Sequence, residues 1–261
     1  MSGSEARLEA IRAVTYHHPQ GRDPAFLDVA SSDLFGANVF SKAEIARRVA
    51  RFADLKPADD FAAGATDGIS ESARKAALSQ TVYGLTSPTG AAVRNFWDNG
   101  AVSAGTPNFG AVYVTSAPGQ GASWHIHRYS YENFIALKGT WRIFWNAPPS
   151  EEHVDLAPHD MVSIPPGAIR RFEYVGGEEE GLMMAFAYAA EHALTTPLEV
   201  VVPPCELERL DRLAEAGGPD AKLYADRVRS LTEEADATET DADRRFTAEV
   251  KAFIVGDAVR A

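Results

Sequence analysis

The stretch GQGASWHIHRYSYENFIALKG, residues 119–139, carries two histidines one residue apart and a glutamate five residues later, in a segment that otherwise has the composition of β-strands. In a strand, residues i and i+2 point to the same face, so His125 and His127 project together. Glu132 opens the next predicted strand, and the short connection 128–131 can fold its carboxylate back beside the two imidazoles. Two imidazoles and one carboxylate around open positions suit Fe(II), and suit Mn, Ni, Co or Zn with other geometries. The spacing alone also fits a structural or solvent-facing pair of histidines.

Short strand-like runs extend on both sides of this stretch, from about residue 107 to about residue 202. They include FGAVYVTSA, TWRIFWN, MVSIPP and GLMMAFAYA, and turn-rich pieces such as APGQG and VGGEEEG separate them. Many short strands with regular turn signals predict a β-sandwich or a small barrel.

The residues before this region have mainly helical spacing. Ser41 and Glu44 form a capping-box pattern ahead of a periodic apolar run, which predicts a helix start. The stretch 67–97 predicts one or two further helices, broken by Gly84 and Pro88.

Helical spacing returns after the strand-rich region. Apolar residues recur at this spacing up to the glycine pair 217–218 and again beyond it: Leu207, Leu210, Leu213, then Tyr224, Val228 and Leu231. Amphipathic helices of this kind most often pack on their own domain or on a second copy of it. The predicted organisation is a mainly helical region at 1–106, a barrel at 107–202 and a helical extension at 203–261.

The glycines that bracket the opening stretch complete a longer pattern. Gly119, His125, His127, Glu132 and Gly139 are separated in turn by five, one, four and six residues. This spacing reproduces, position for position, the first signature motif of the cupin superfamily, which the chain therefore resembles.

A second segment, HDMVSIPPGAIRRFEY at 159–174, resembles the second cupin motif, with Pro165 and Gly167 at its proline and glycine positions. The resemblance covers residues 107–202. It implies a mainly β fold, a double-stranded β-helix or jelly-roll barrel, which here would carry α-helical N- and C-terminal extensions. It also implies one divalent metal at the barrel mouth and a homodimer.

The second motif departs from the pattern at one metal position, where the usual histidine is replaced by Arg170. A guanidinium stays protonated and cannot be a ligand. In one interpretation the metal is held by His125, His127 and Glu132, and Arg170 binds an anionic substrate. At about 4 Å and an effective dielectric of about 20, the guanidinium and the metal repel each other by ~4 kcal/mol per unit of metal charge. An acidic substrate bound between them would offset this repulsion. In the other, Glu132 and Arg170 form a buried salt bridge in a barrel without metal.

Strand alternation predicts which other side chains line the cavity. Phe134 should face inward with Glu132, and Phe172 and Tyr174 with Arg170. A mixed aromatic and polar lining suits a small organic acid, so Arg170 and Tyr174 are the candidate catalytic residues. Surface positions are favoured for the histidines outside the first motif: His17, His18, His153, His159 and His192. For Trp141 and Trp145 we favour packing positions in the core or at a dimer interface.

Composition narrows the partners and the compartment. A net charge of −12 argues against nucleic acid or anionic lipid as a partner, and no apolar run approaches the ~18 residues of a membrane helix. The start MSGSEARLEA lacks the features of a signal peptide, and the single Cys205 excludes an internal disulfide framework. We therefore expect a cytoplasmic protein whose partner is a small anionic molecule.

Three classes of function fit these residues. The first is an oxidoreductase, an Fe(II)-type dioxygenase-like cupin that acts on a small organic acid. The second is a metal-dependent isomerase, lyase or decarboxylase, since stabilisation of an enolate needs the same ligands. The third is a non-catalytic ligand-binding cupin. The sequence shows no nucleophile–base pair, phosphate-binding glycine loop or zinc cysteine cluster as a rival site.

Overall fold

The computed structural model describes residues 41–57, 80–88, 102–106, 109–177, 179–189 and 199–258. The chain divides into two units, residues 1–49 and 50–261. In the first unit, helix α1 (Lys42–Ala46) begins with the predicted capping box, in which Ser41 Oγ accepts a hydrogen bond from the Glu44 backbone at 3.2 Å and Glu44 accepts one from the Ser41 backbone at 2.5 Å. This helix start is confirmed. The predicted helical content of residues 1–40 and 58–79, with His17 and His18, lies outside the described residues.

The second unit, within the described ranges, is built from strands, a 3-10 turn at Phe52–Asp54 and two helices. The strands are β1 (Thr81–Pro88), β2 (Val102–Thr106), β3 (Phe109–Ser116), β4 (Gly121–His127), β5 (Ser130–Lys138), β6 (Trp141–Trp145), β7 (Glu152–Leu156), β8 (Met161–Ile164), β9 (Ile169–Tyr174), β10 (Gly181–Ala189) and β11 (Val200–Val201). The helices are α2 (Pro204–Thr238) and α3 (Asp241–Ala258).

The strands form two sheets, in the orders β2-β1-β3-β10-β5-β8 and β11-β4-β9-β6-β7. Pairing is antiparallel except between β1 and β2. From β3 to β11 the chain passes between the sheets at almost every step, which is the winding of a double-stranded β-helix. The predicted fold class, a mainly β jelly-roll barrel with a helical C-terminal extension, is confirmed. Of the helical N-terminal extension that was also predicted, the described residues include only α1.

Alternation along the strands builds the core between the two sheets. In β5 every second residue from Ser130 to Ala136 is buried. The Phe172 ring makes edge-to-face contacts with the rings of Phe134 and Trp141, at centroid distances of 5.4 and 5.8 Å. An apolar layer of the core therefore lies next to the end of the barrel that holds Glu132 and Arg170, and it is formed by side chains on the same strand faces as those two residues.

The prediction of one or two helices in 67–97, broken by Gly84 and Pro88, is wrong over residues 81–88, which form β1. Val82 and Tyr83 pair with Val114 and Tyr113 of β3, and the register shifts just after Gly84. The β-branched and aromatic residues fit a paired strand, so tertiary pairing overrides the helical spacing around them. The first sheet consequently begins before residue 107, the predicted start of the barrel.

The apolar helical spacing is interrupted at the glycine pair 217–218, but α2 continues through this pair and through Pro219. The helical segment nevertheless turns back on itself. Asp211 and Arg229 form an ion pair of 2.6 Å, whereas 18 residues of straight helix would separate them by about 27 Å. Gly217, Gly218 and Pro219 lie between the paired residues, and the backbone freedom of glycine and the helix hydrogen bond that proline removes favour a reversal there.

The C-terminal helices pack on the barrel of their own chain. Arg128, just after β4, donates a 3.1 Å hydrogen bond to the Ala235 carbonyl, and the rings of Tyr129 and Phe246 lie 6.4 Å apart. No helix in the described ranges is long and apolar enough to cross a membrane.

Two motif glycines have a backbone that other residues rarely adopt. Gly119 and Gly139 have φ of +77° and +73°, in the left-handed region. At Gly139 a Cβ atom would also collide with the Tyr174 ring. Both glycines therefore serve turn geometry at strand ends, and Gly139 also allows close packing against Tyr174.

Candidate metal centre

The three residues of the opening motif meet inside the barrel. His125 and His127, near the end of β4, face the same side, and Glu132 reaches them from β5. The Nε2 atoms of the two imidazoles lie 3.6 and 3.3 Å from the same oxygen, Glu132 Oε2. All three side chains are buried, and their ligand atoms lie within 4.8 Å of one another. The structure thus places the predicted ligands together.

The other ring nitrogen of each histidine is held by an acceptor. His125 Nδ1 lies 2.8 Å from the backbone carbonyl of Ser123. His127 Nδ1 lies 3.0 Å from Glu199 Oε2 and 3.1 Å from Ser130 Oγ. A carbonyl and a carboxylate only accept hydrogen bonds, so each Nδ1 carries a proton. With the ring neutral, each Nε2 then presents a lone pair to the cluster, the tautomer that a metal needs.

Arg170 completes the cluster from β9, where it is the register partner of His125. Its Nη1 donates to Glu132 Oε2 at 3.3 Å, its Nη2 to the Pro165 carbonyl at 3.0 Å and its Nε to the Ala168 carbonyl at 3.2 Å. The side chain is 0% exposed. The ion pair of the metal-free interpretation is therefore present, and the role of Arg170 as a substrate anchor stays a prediction.

Charge interactions set the ionisation of the buried carboxyl groups. Burial acts to raise the pKa of Glu132, but the charge of His127, a hydrogen bond with His125 and the charge of Arg170 together lower it to about 2. Burial likewise acts against ionisation of Glu199, but His127, Ser130 and Arg170 lower its pKa. Both carboxylates are therefore ionised at neutral pH.

The predicted catalytic residue Tyr174 is not brought to this cluster. It lies four residues beyond Arg170 on β9, about 13 Å along an extended strand. Its ring is 2% exposed and packs 5.2 Å from the Trp141 ring. Tyr174 therefore belongs to the core at the other end of the barrel.

The remaining aromatic and histidine predictions have mixed outcomes. Trp141 is fully buried in the core, as one of its two predicted positions requires, while Trp145 is half-buried. His153 and His159 are exposed, as predicted. His192 lies outside the described residues.

Sequence reasoning missed Glu199 and Ser130, which contact His127. Glu199 stands 72 positions after His127, in the run LEVVV, and nothing in that run signals a site. Ser130 lies inside the motif at a position whose residue type the pattern leaves open. Only the pairing of β11 with β4 brings the two segments together.

The ionisation of His127 gives the metal-free protein a defined pH dependence. Burial acts to lower the pKa of His127, but the charges of Glu132 and Glu199 outweigh burial and raise it. The stabilisation from the charged imidazole is therefore complete below about pH 6.5 and is lost as the pH rises through the higher folded-state pKa. We expect the free energy of unfolding in EDTA to fall with pH above 6.5 in the wild type, more than in His127→Gln. Urea titrations at a series of pH values measure this, and parallel profiles would contradict it.

The fold and the buried His-His-Glu cluster define a double-stranded β-helix, or jelly-roll, protein with a candidate metal site. No protein-family model matches the sequence, and no curated protein matches it. Among solved structures, oxalate oxidase is similar at 18% identity over 62% of this chain and 74% of that one, with a TM-score of 0.37. KdgF from Halomonas sp. is similar at 13% identity over 43% and 82%, with a TM-score of 0.32. The Cnp3 cupin domain of Schizosaccharomyces pombe is similar at 14% identity over 42% and 64%, with a TM-score of 0.32. At these values the fold assignment depends on the sheet order of the chain itself.

Proposed function

We propose that the barrel binds one divalent transition metal ion through His125 Nε2, His127 Nε2 and the carboxylate of Glu132. The observation that carries the proposal is the convergence of both Nε2 atoms on one carboxylate oxygen while both Nδ1 atoms are held by acceptors. The arrangement presents two ring nitrogens and a carboxylate oxygen to one buried point, with their ligand atoms within 4.8 Å of one another. Metal ligation requires this orientation.

We further propose that the protein is an enzyme, an Fe(II)-type oxygenase acting on a small organic acid. Two imidazoles and one carboxylate are the donor set of non-haem Fe(II) oxygenases and leave positions open for O2 and substrate. The metal would supply the electrons for O2 activation. This donor set also accommodates Mn, Ni, Co or Zn, and iron is the metal that we favour among these.

The charges around the cluster support an anionic substrate. A divalent ion with Glu132, Glu199 and Arg170, all ionised, carries one net positive charge inside a buried site. Burying uncompensated charge is costly, so a bound monoanion would be stabilised there. The contacts of Arg170 to Glu132 and two backbone carbonyls use three of the five guanidinium donors. Two donors are then left to orient a carboxylate.

A metal-free ligand-binding barrel is the second candidate, and a specific observation favours it. Arg170 is fully buried and already contacts Glu132 at 3.3 Å, so the guanidinium compensates one carboxylate without metal. A charged His127 between Glu132 and Glu199 would compensate the other. This candidate predicts that the purified protein holds no stoichiometric metal.

Oxygen uptake tests the enzyme proposal. The protein is reconstituted anaerobically with Fe(II) and exposed to O2 with a panel of small mono- and dicarboxylic acids. We expect uptake that depends on one of the acids, that is abolished in His125→Ala and that persists in Glu152→Gln, whose side chain is exposed on β7. Turnover that continues without O2 would instead indicate the isomerase, lyase or decarboxylase class.

A further inference from the structure

Glu199 lies against the outer nitrogen of one metal-ligand candidate and is bound at both of its oxygens. Oε2 is 3.0 Å from His127 Nδ1. Oε1 accepts hydrogen bonds from the Ser130 backbone at 3.1 Å and from Ser130 Oγ at 2.5 Å. Ser130 Oγ in turn lies 3.1 Å from His127 Nδ1. The three side chains form a closed, buried set of contacts on the side of the ring away from Glu132.

The backbone fixes Glu199 in this place. The residue directly precedes β11, in which Val200 pairs with His127 itself. The Arg128 backbone N–H donates to the Glu199 carbonyl at 2.8 Å. Glu199 is 7% exposed, and burying an ionised carboxylate is costly unless several donors compensate it. A buried charged arrangement is weak evidence for stability, because apolar residues of similar volume often replace it with little loss, so its contacts point to an action of the carboxylate on the imidazole.

The two histidines are held by different acceptors. His125 Nδ1 meets a neutral backbone carbonyl, whereas His127 Nδ1 meets an ionised carboxylate. A carboxylate partner draws the Nδ1 proton more strongly than a neutral carbonyl does. It thereby makes Nε2 a stronger electron-pair donor to a metal, and it fixes the ring orientation. His127 is consequently the more firmly oriented of the two candidate imidazole ligands.

We infer that Glu199, together with Ser130, is a positioning residue that orients His127 and raises the metal affinity of the barrel. This inference rests on the proposed metal site. Glu199 lies outside both sequence motifs and acts through His127 rather than on the substrate.

Co(II) binding tests the inference, because Co(II) reports both affinity and ligand geometry. The chelator-treated protein is titrated with Co(II) against a competing chelator, and the visible absorption spectrum is recorded. We expect Glu199→Gln, which keeps the size but removes the charge, to raise the Kd about 10- to 100-fold and to shift the visible bands. Ser130→Ala should change both in the same direction and by less. Glu152→Gln serves as the matched control and should behave as wild type.

The outcomes separate the positioning role from a purely structural one. A Glu199→Gln protein that unfolds at a lower temperature but binds Co(II) with wild-type Kd and spectrum would overturn the inference. If Glu199→Gln does not fold, Glu199→Asp and Ser130→Ala decide: wild-type Kd and spectrum in both would overturn it. Wild-type protein that binds no Co(II) would overturn the metal site and this inference together, and that result is read before any variant is compared.

Discussion

Glu132→Gln should lower the free energy of unfolding of the metal-free protein by about 3–5 kcal/mol at pH 7. The substitution keeps the shape of the side chain but leaves Arg170, which is 0% exposed, without its charged partner at 3.3 Å. The pKa of Glu132 leads to a similar magnitude. A shift from 4.5 to about 2 corresponds to about 3 kcal/mol of stabilisation of the ionised form. Urea unfolding in EDTA measures the difference between the two proteins.

The difference should also depend on pH in a defined direction. Because the folded-state pKa of Glu132 is depressed, its contribution is present above its unfolded pKa and is lost as the pH falls toward 2. The curves of wild type and Glu132→Gln should therefore converge below about pH 4.5.

Two further variants show whether burial causes the effect. Asp155→Asn removes the carboxylate from an exposed pair with Arg142 at 2.7 and 2.8 Å and should cost much less. The double variant Glu132→Gln/Arg170→Met removes both buried charges and should recover part of the lost stability. A loss in Glu132→Gln no larger than that in Asp155→Asn would contradict the buried ion pair.

The inner cluster could be predicted from the sequence because its members are close along the chain. His125 and His127 share a face by strand alternation, and one tight connection brings Glu132 beside them. Both facts are local, so a single motif suffices to expect the three residues together. The direction of Arg170 is not local, because it depends on the pairing of β4 with β9 and on backbone carbonyls at Pro165 and Ala168.

The contact of Glu199 with His127 and the strand β1 could not be predicted, because both depend on pairing between distant segments of the chain. Glu199 meets His127 through strand pairing across 72 positions, and one-dimensional periodicity carries no information about such pairing. β1 was misassigned because helical spacing in 67–97 extends into a segment that β3 holds as a strand. Tyr174 shares a strand face with Arg170 as predicted, but the distance along the strand places it in the core.

His125→Ala should abolish metal binding while leaving the barrel folded. His125 supplies one of the two proposed imidazole ligands. Its Nδ1 contact is to a neutral backbone carbonyl, so removing the ring does not leave a buried charge without an opposite charge. With only His127 and Glu132 remaining, affinity for a divalent transition metal should fall below the level that survives purification. Far-UV circular dichroism of the variant should match that of the wild type.

The measurement that tests the central claim most directly is elemental analysis of protein purified without chelator, for wild type, His125→Ala and His153→Ala. His153 is an exposed histidine on β7 and provides the matched control. The metal centre predicts about one equivalent of a divalent transition metal in the wild type and in His153→Ala, and less than about a tenth in His125→Ala. Less than about a tenth of an equivalent in the wild type, or equal metal in wild type and His125→Ala, would contradict the metal centre.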